Sequence, residues 1–217
     1  MLDTVYATDE DVYVIGASDF GVVAPRSARV AYGTDGSFGP SGWVLTSASN
    51  DFSAQGVAAG MVVKVESGVY VPPQYLAVET VAATTLTLRR CGLPTGTGMP
   101  PGPTSGTSQV TFEVATLQPQ IEDAAYTMHQ RFGVDPLLPN YRPSDIYDSR
   151  PFRRLTIFYV LWHRYTDLTR TDQGDFKLKA DFYRLRFEEE LAIVTVRWGP
   201  TGDLNPPTNK FGMRISR

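Results

Sequence analysis

The sequence predicts an α+β fold: an N-terminal small antiparallel β-barrel-like module, then an α-helical bundle of three main helices and an extended C-terminal tail. Three features carry the prediction. Residues 28–90 hold five short runs of β-branched and aromatic residues separated by turn chemistry, the pattern of an antiparallel sheet with one buried face. Phe176, Ala180, Tyr183, Phe187, Leu191, Val194 and Trp198 recur at spacings of 4, 3, 4, 4, 3 and 4, one continuous apolar face of a helix. Between these regions, nine of the seventeen residues from Gly92 to Ser108 are Gly or Pro, which favours an extended connector. The chain therefore divides into a β-module with its N-terminal arm (1–91), a Gly/Pro linker (92–108), a helical core (109–198) and an extended arm (199–217).

At the start, Thr8 and Asp11 stand at the spacing of a helix-capping pair, while Val12, Tyr13, Val14 and Ile15 favour a strand. The balance predicts a short helical turn leading into an extended Phe20–Ala24. Strands follow over Ala28–Tyr32, Trp43–Ser47, Met61–Glu66, Tyr75–Val81 and Thr84–Arg90, with turns at Asp35-Gly36, Asn50-Asp51 and Gly68. Leu86 and Leu88 alternate with Thr85, Thr87 and Arg89, and Val63 and Val65 with Lys64 and Glu66. Five strands this short bury a face economically only by curling or closing. After the linker, Gln109–Ala115 reads as one more strand, and the pattern leaves open whether it returns to the barrel.

The first helix begins near Pro119, where proline suits a first turn, and Glu122 and Asp123 complement the dipole. Ile121, Ala125, Met128 and Phe132 form its apolar side, and Gly133 is placed to cap it. Beyond a Pro-rich turn, Ser144 and Ser149 are candidate caps. The second helix, Arg150–Leu168, carries Phe152, Leu155, Phe158, Tyr159, Leu161, Trp162 and Tyr165, too wide an apolar surface for one contact, which places it centrally. Asp172 or Asp175 is positioned to cap the third helix. Residues 199–217 contain Pro200, Pro206 and Pro207 without periodicity.

The net charge of -3 is unevenly spread. Residues 1–116 hold five Lys/Arg against ten Asp/Glu, residues 117–198 twelve against twelve, and residues 199–217 three against one. An acidic front with no basic, aromatic-interleaved stripe argues against a protein built to grip nucleic acid. The single Cys91 excludes an internal disulfide framework and suits a reducing compartment. No apolar run is long enough to span a bilayer, and Met1-Leu2-Asp3 does not open a signal peptide, so assembly in a cytoplasm is expected.

No residue pattern points to catalysis, a metal or a cofactor. His129 and His163 lie within helices without companion ligands at metal spacing. Cys91 follows Arg89-Arg90, neighbours that lower a thiol pKa, yet no Cys–His signature surrounds it. The glycines lack the strand, helix and lysine of a phosphate loop, and no spacing favours Asp51 and Glu79 as a glycosidase pair.

Taken together, Leu117–Ala125, Phe152-Arg153-Arg154-Leu155-Thr156 and Asp175–Trp198 resemble the head-to-tail connector, or adaptor, proteins of tailed bacteriophages. The β-module, with Trp43-Val44-Leu45-Thr46-Ser47, Asp51-Phe52, Gly56-Val57, Gly60-Met61-Val62-Val63 and Leu86-Thr87-Leu88, looks like decorations of phage structural proteins. The resemblance is one of organisation over roughly residues 109–217, looser over 29–90. It implies a structural virion protein at the neck, assembled in the host bacterial cytoplasm, whose dodecameric homo-oligomeric ring joins portal to tail and continues the DNA channel. The implied partners are the portal protein and the next neck or tail protein (stopper, tail terminator or tail tube). DNA would pass without sequence-specific binding, and no membrane, cofactor or enzymatic activity is implied. The large β-module departs from the simplest adaptors and leaves the neck layer open. Within this reading Glu188, Glu189 and Glu190 are a candidate channel or subunit-interface face. Lys210, Phe211, Met213, Arg214 and Arg217 are a candidate portal-binding tail. A receptor- or glycan-binding β-module on a helical stalk, using Trp43, Tyr70 and Tyr75, is the alternative. An enzyme would need clustered titratable groups.

Overall fold

The computed structural model describes residues 5–17, 20–24, 26–67, 70–94, 97, 107–135, 137, 142–146, 148–170 and 175–196. The chain forms two compact units: Thr8–Gln118, and Met1–Ala7 together with Pro119–Arg217. In the first unit six strands close into an antiparallel barrel. They are β1 (Arg29–Phe38), β2 (Val44–Thr46), β3 (Val62–Ser67), β4 (Tyr70–Val81), β5 (Thr85–Arg90) and β6 (Thr107–Ala115), in the order β1-β2-β5-β4-β3-β6. Closure leaves no open sheet edge, and alternation sends one side chain in two inward. Leu86, Leu88, Val63, Val65, Val110, Phe112 and Val114 fill the interior with Phe38, Leu45 and Phe52. Each such side chain contributes about 1.5–3 kcal/mol through burial.

Several details differ from the sequence reading, each for a physical reason. Strand 109–115, set there at the head of the helical core, closes the barrel by pairing with both β1 and β3. Asp35-Gly36 is no turn: β1 runs through it, with shifts in the β1–β6 register on either side of Gly36. Asp-Gly serves a bulge as well as a turn. A Cβ on Gly36 would lie 2.7 Å from the Val110 carbonyl oxygen, and one on Gly33 2.7 Å from the Phe112 ring, so these glycines let the bent strand pass close to β6. Opposite, Gln109 takes the left-handed φ of 62°. Asp35 instead anchors the following loop, accepting bonds from Ser47 Oγ at 2.8 Å and the Ser49 amide at 2.9 Å. Gly68 and most of the 92–108 linker lie outside the described residues.

The predicted Thr8–Asp11 capping box is present and starts α1 (Asp9–Gly16). The Thr8 amide donates to Asp11 Oδ2 at 2.9 Å, and the Asp11 amide to Thr8 Oγ1 at 3.3 Å. Phe20–Val23, expected to be extended, is instead a helical turn, α2, closed by the Ala24 amide donating to the Phe20 carbonyl at 2.8 Å. Helical geometry brings Phe20 and Val23 to one side, and both are buried. The first turn of α1 is tied into the barrel by two buried carboxylates. Asp9 accepts from Thr116 Oγ1 and the Leu117 amide, both at 2.7 Å. Glu10 receives both terminal nitrogens of Arg89, and the Gly92 amide at 2.9 Å.

The second unit contains α3 (Gln118–Phe132), α4 (Arg150–Thr169) and α5 (Asp175–Ile193). Gly133, at φ 69°, follows α3 in the capping conformation predicted for it. Ser149 occupies the N-cap position of α4 without a side-chain bond, and Asp148 does the work instead, its Oδ1 accepting the Arg150 amide at 3.0 Å. Ser144 lies inside a short 3-10 helix, Pro143–Asp145. Asp175 is the first residue of α5 rather than its cap, and Asp172 lies outside the described residues. The core gathers Ala125, Met128, Phe152, Leu155, Phe158 and Phe187. Tyr165 stacks on Tyr183 with ring centroids 5.6 Å apart. Tyr6, assigned by sequence to an arm of the β-module, belongs to this helical core: its ring stacks on Phe152 at 4.8 Å and its hydroxyl meets His129 Nε2 at 2.8 Å.

Candidate functional site

Helix α5 carries two apolar stripes. The predicted one, with Ala180 and Phe187 buried and Phe176, Tyr183, Leu191 and Val194 half-buried, faces the helical core. The second comprises Leu178, Phe182, Leu185 and Ile193, exposed by 73%, 50%, 54% and 74%. At 100° per residue, 178, 182, 185 and 193 lie on the side opposite 180 and 187. Single exposed leucines are common on protein surfaces. A row of large apolar side chains along a helix of 19 residues is a contiguous surface of the kind that marks an interaction site. Its spacing was visible in the sequence, but the interleaved charges gave that side the look of a solvated face.

Those charges form a border to the stripe. Lys177, Asp181, Arg184 and Glu188 alternate in sign along one flank at helical spacing. On the other side the Arg186 guanidinium lies over the Phe182 ring, 5.3 Å from its centroid. The acidic triplet does not form one face, because three consecutive helical residues span about 200°. Glu188 pairs with Arg184 at 3.8 Å, Glu189 with Arg186 at 3.2 Å, and Glu190 with Arg154 of α4 at 2.8 Å. Each glutamate thus meets a cation of its own chain. Lys210, Phe211, Met213, Arg214 and Arg217 lie outside the described residues, as does Trp198.

The other sequence candidates have structural partners. Cys91 is half-buried, with its Sγ 3.7 Å from the Tyr75 carbonyl oxygen. Burial first, and Glu10 second, push its thiol up to about 12 against the opposing pull of Arg89, the reverse of the activation that the Arg89-Arg90 neighbours favour. His129 is buried against Tyr6, and burial lowers its pKa. The His163 ring packs 4.2 Å from that of Tyr159. Asp51 accepts the Ala54 amide at 2.9 Å, capping a turn. Among the described residues no group of three His, Cys, Asp or Glu side chains is placed to share a metal ion, and no helix is long and apolar enough to cross a membrane. Trp43 lies just before β2, its carbonyl accepting the Leu88 amide at 2.7 Å. The Tyr70 side chain lies outside the described residues, and Tyr75 lines a groove on the barrel wall. Comparison with family models, curated proteins and solved structures returns no match.

Proposed function

We propose that this chain is a structural subunit that packs against copies of itself through the outer face of α5. The ring so formed joins a phage portal to its tail and continues the DNA channel. The observation that carries the reading is the second apolar stripe. Burying Leu178, Phe182 and Leu185 against a neighbour would contribute on the order of 5 kcal/mol before the cost of association. The alternating flank of Lys177, Asp181, Arg184 and Glu188 would set register and select the neighbour. The pairing of Glu188, Glu189 and Glu190 with arginines favours a subunit contact over a channel wall for that segment. The basic tail, with Lys210, Phe211, Met213, Arg214 and Arg217, is the proposed portal anchor, working by docking of its apolar residues or by strand addition. The next neck or tail layer is the second partner, and no catalysis is required of the chain.

Native mass spectrometry of the chain, alone and mixed with a portal ring from the same genome, tests the proposal. The wild type should form a cyclic assembly on the portal. The double variant Leu178→Glu, Phe182→Glu should keep its circular dichroism and remain monomeric. Deletion of residues 199–217 should abolish portal binding. A wild-type chain that stays monomeric and ignores the portal overturns the reading, and a double variant that assembles normally overturns the role of α5.

A further inference from the structure

The barrel wall carries a site of a different kind. Strand register sets Tyr32 of β1 beside Glu113 of β6, Glu113 beside Lys64 of β3, and Lys64 beside Tyr75 of β4. These four residues form one row across four adjacent strands. Their neighbours Ala31, Val114, Val63 and Leu76 are in the barrel core, so the row looks outward. Three strand spacings separate the two tyrosines, roughly 14 Å of backbone. Glu113 is bonded by Arg29 Nε at 2.9 Å, and Lys64 is paired with Glu66. The Arg29 guanidinium also lies 4.7 Å from the Tyr32 ring centroid. The helical turn α2 stands over the far end. Gly21 lies so close to Tyr75 that a Cβ there would be 2.3 Å from the phenol oxygen, and Phe20 meets the Tyr75 ring edge-on at 5.9 Å. The result is a groove of about 480 Å³, within the usual range for small-molecule sites.

Its chemistry narrows the ligand. The floor holds two cations and two carboxylates that already neutralise one another. An anion or cation entering would have to compete with a closed ion pair, whereas hydroxyl groups both donate and accept and can bridge Arg29–Glu113 and Lys64–Glu66 without separating them. Tyr32 is 47% exposed at the near end and offers an aromatic face to C–H groups. The Tyr75 phenol, neutral already at its ordinary value of 10 and raised further by burial, is able to donate. We infer that this groove binds a neutral pyranose unit of a polysaccharide, held between Tyr32 and Tyr75 over the Arg29–Glu113 and Lys64–Glu66 pairs. This site is independent of the ring proposal, since every group belongs to the barrel strands or to α2 within the same unit.

The test uses the full-length chain in solution, with amide resonances followed during titration with glucose, galactose, N-acetylglucosamine and maltotriose. Glycine and inorganic phosphate serve as charged comparisons. At least one sugar should shift the resonances of Gly21, Tyr32, Lys64 and Glu113 together. Tyr32→Ala should weaken that binding about tenfold or more, with thermal unfolding unchanged, and Tyr126→Ala on α3 should leave it intact. Gly21→Ala, whose Cβ must displace the Tyr75 phenol, should also weaken it. Absence of response to every sugar overturns the inference. So does sugar binding that survives Tyr32→Ala and Gly21→Ala, or a groove that takes phosphate or glycine in preference to sugars.

Discussion

Replacement of Asp9 by asparagine probes the buried carboxylate at the junction of α1 and the end of β6. Asp9 is 3% exposed. Burial raises its pKa from 3.8 to about 6, against the opposing pull of its bonds from Thr116 and Leu117. Between pH 3.8 and about 6 the folded chain therefore holds a proton that the unfolded chain has released. The stability this provides is fully present below the unfolded value of 3.8 and is lost as pH rises through about 6. The separation corresponds to about 3 kcal/mol at 1.36 kcal/mol per pKa unit. Asparagine mimics the protonated acid and cannot ionise, while its side-chain oxygen still accepts the Leu117 amide. Asp9→Asn should match the wild type near pH 4 and exceed it by about 3 kcal/mol near pH 7. Urea unfolding followed by the fluorescence of Trp43, with Trp162 and Trp198 replaced by phenylalanine, reads the barrel across that range. Parallel pH profiles, or a variant less stable than wild type at neutral pH, would refute the reasoning.

Three further substitutions test the packing. Gly36→Ala places a Cβ 2.7 Å from the Val110 carbonyl and 2.9 Å from the Phe112 ring, and should lower barrel stability by about 1–3 kcal/mol in urea unfolding. Gln109→Gly should raise it by up to about 1 kcal/mol, because glycine adopts without strain the φ of 62° that glutamine holds at the bulge. Equal stability of that variant and the wild type would show that the position is unstrained. Phe187→Ala removes a buried ring from the helical core and should cost about 3–5 kcal/mol in the helical unit, while hydrogen exchange in the barrel strands stays as in the wild type.

Alternation made most strands legible, since a strand with one buried face writes a period of two into its sequence. What alternation cannot express is partnership. β6 pairs with β1 across 69 to 86 residues of chain, and nothing local in 109–115 distinguishes a strand that closes a barrel from one that leads into a helix. Asp35-Gly36 was ambiguous because bulges and turns recruit the same residues. Phe20-Gly21-Val22-Val23 reads as extended by propensity, yet burial of Phe20 and Val23 on one side selects the helical turn. In α5 the core stripe was plain, whereas the second stripe was hidden among charges whose partners only the folded helix reveals. Of the barrel-wall row only Tyr75 stood out in the sequence, as an aromatic of the glycan-binding alternative, since Tyr32, Lys64 and Glu113 become its neighbours only through register.

The two bonds that Asp9 accepts from Thr116 and Leu117 bring the chain's entry into the barrel unit beside its exit. Residues 8–118 thus leave the chain nearly where they join it, while Tyr6 on one side and α3 on the other continue into a single helical core. In genetic terms the barrel is a cassette carried inside the coding frame of the helical unit. A short bridge from Ala7 to Pro119 would excise it, and another domain with adjacent ends would take its place. Such an exchange would leave the residues of the helical core unchanged.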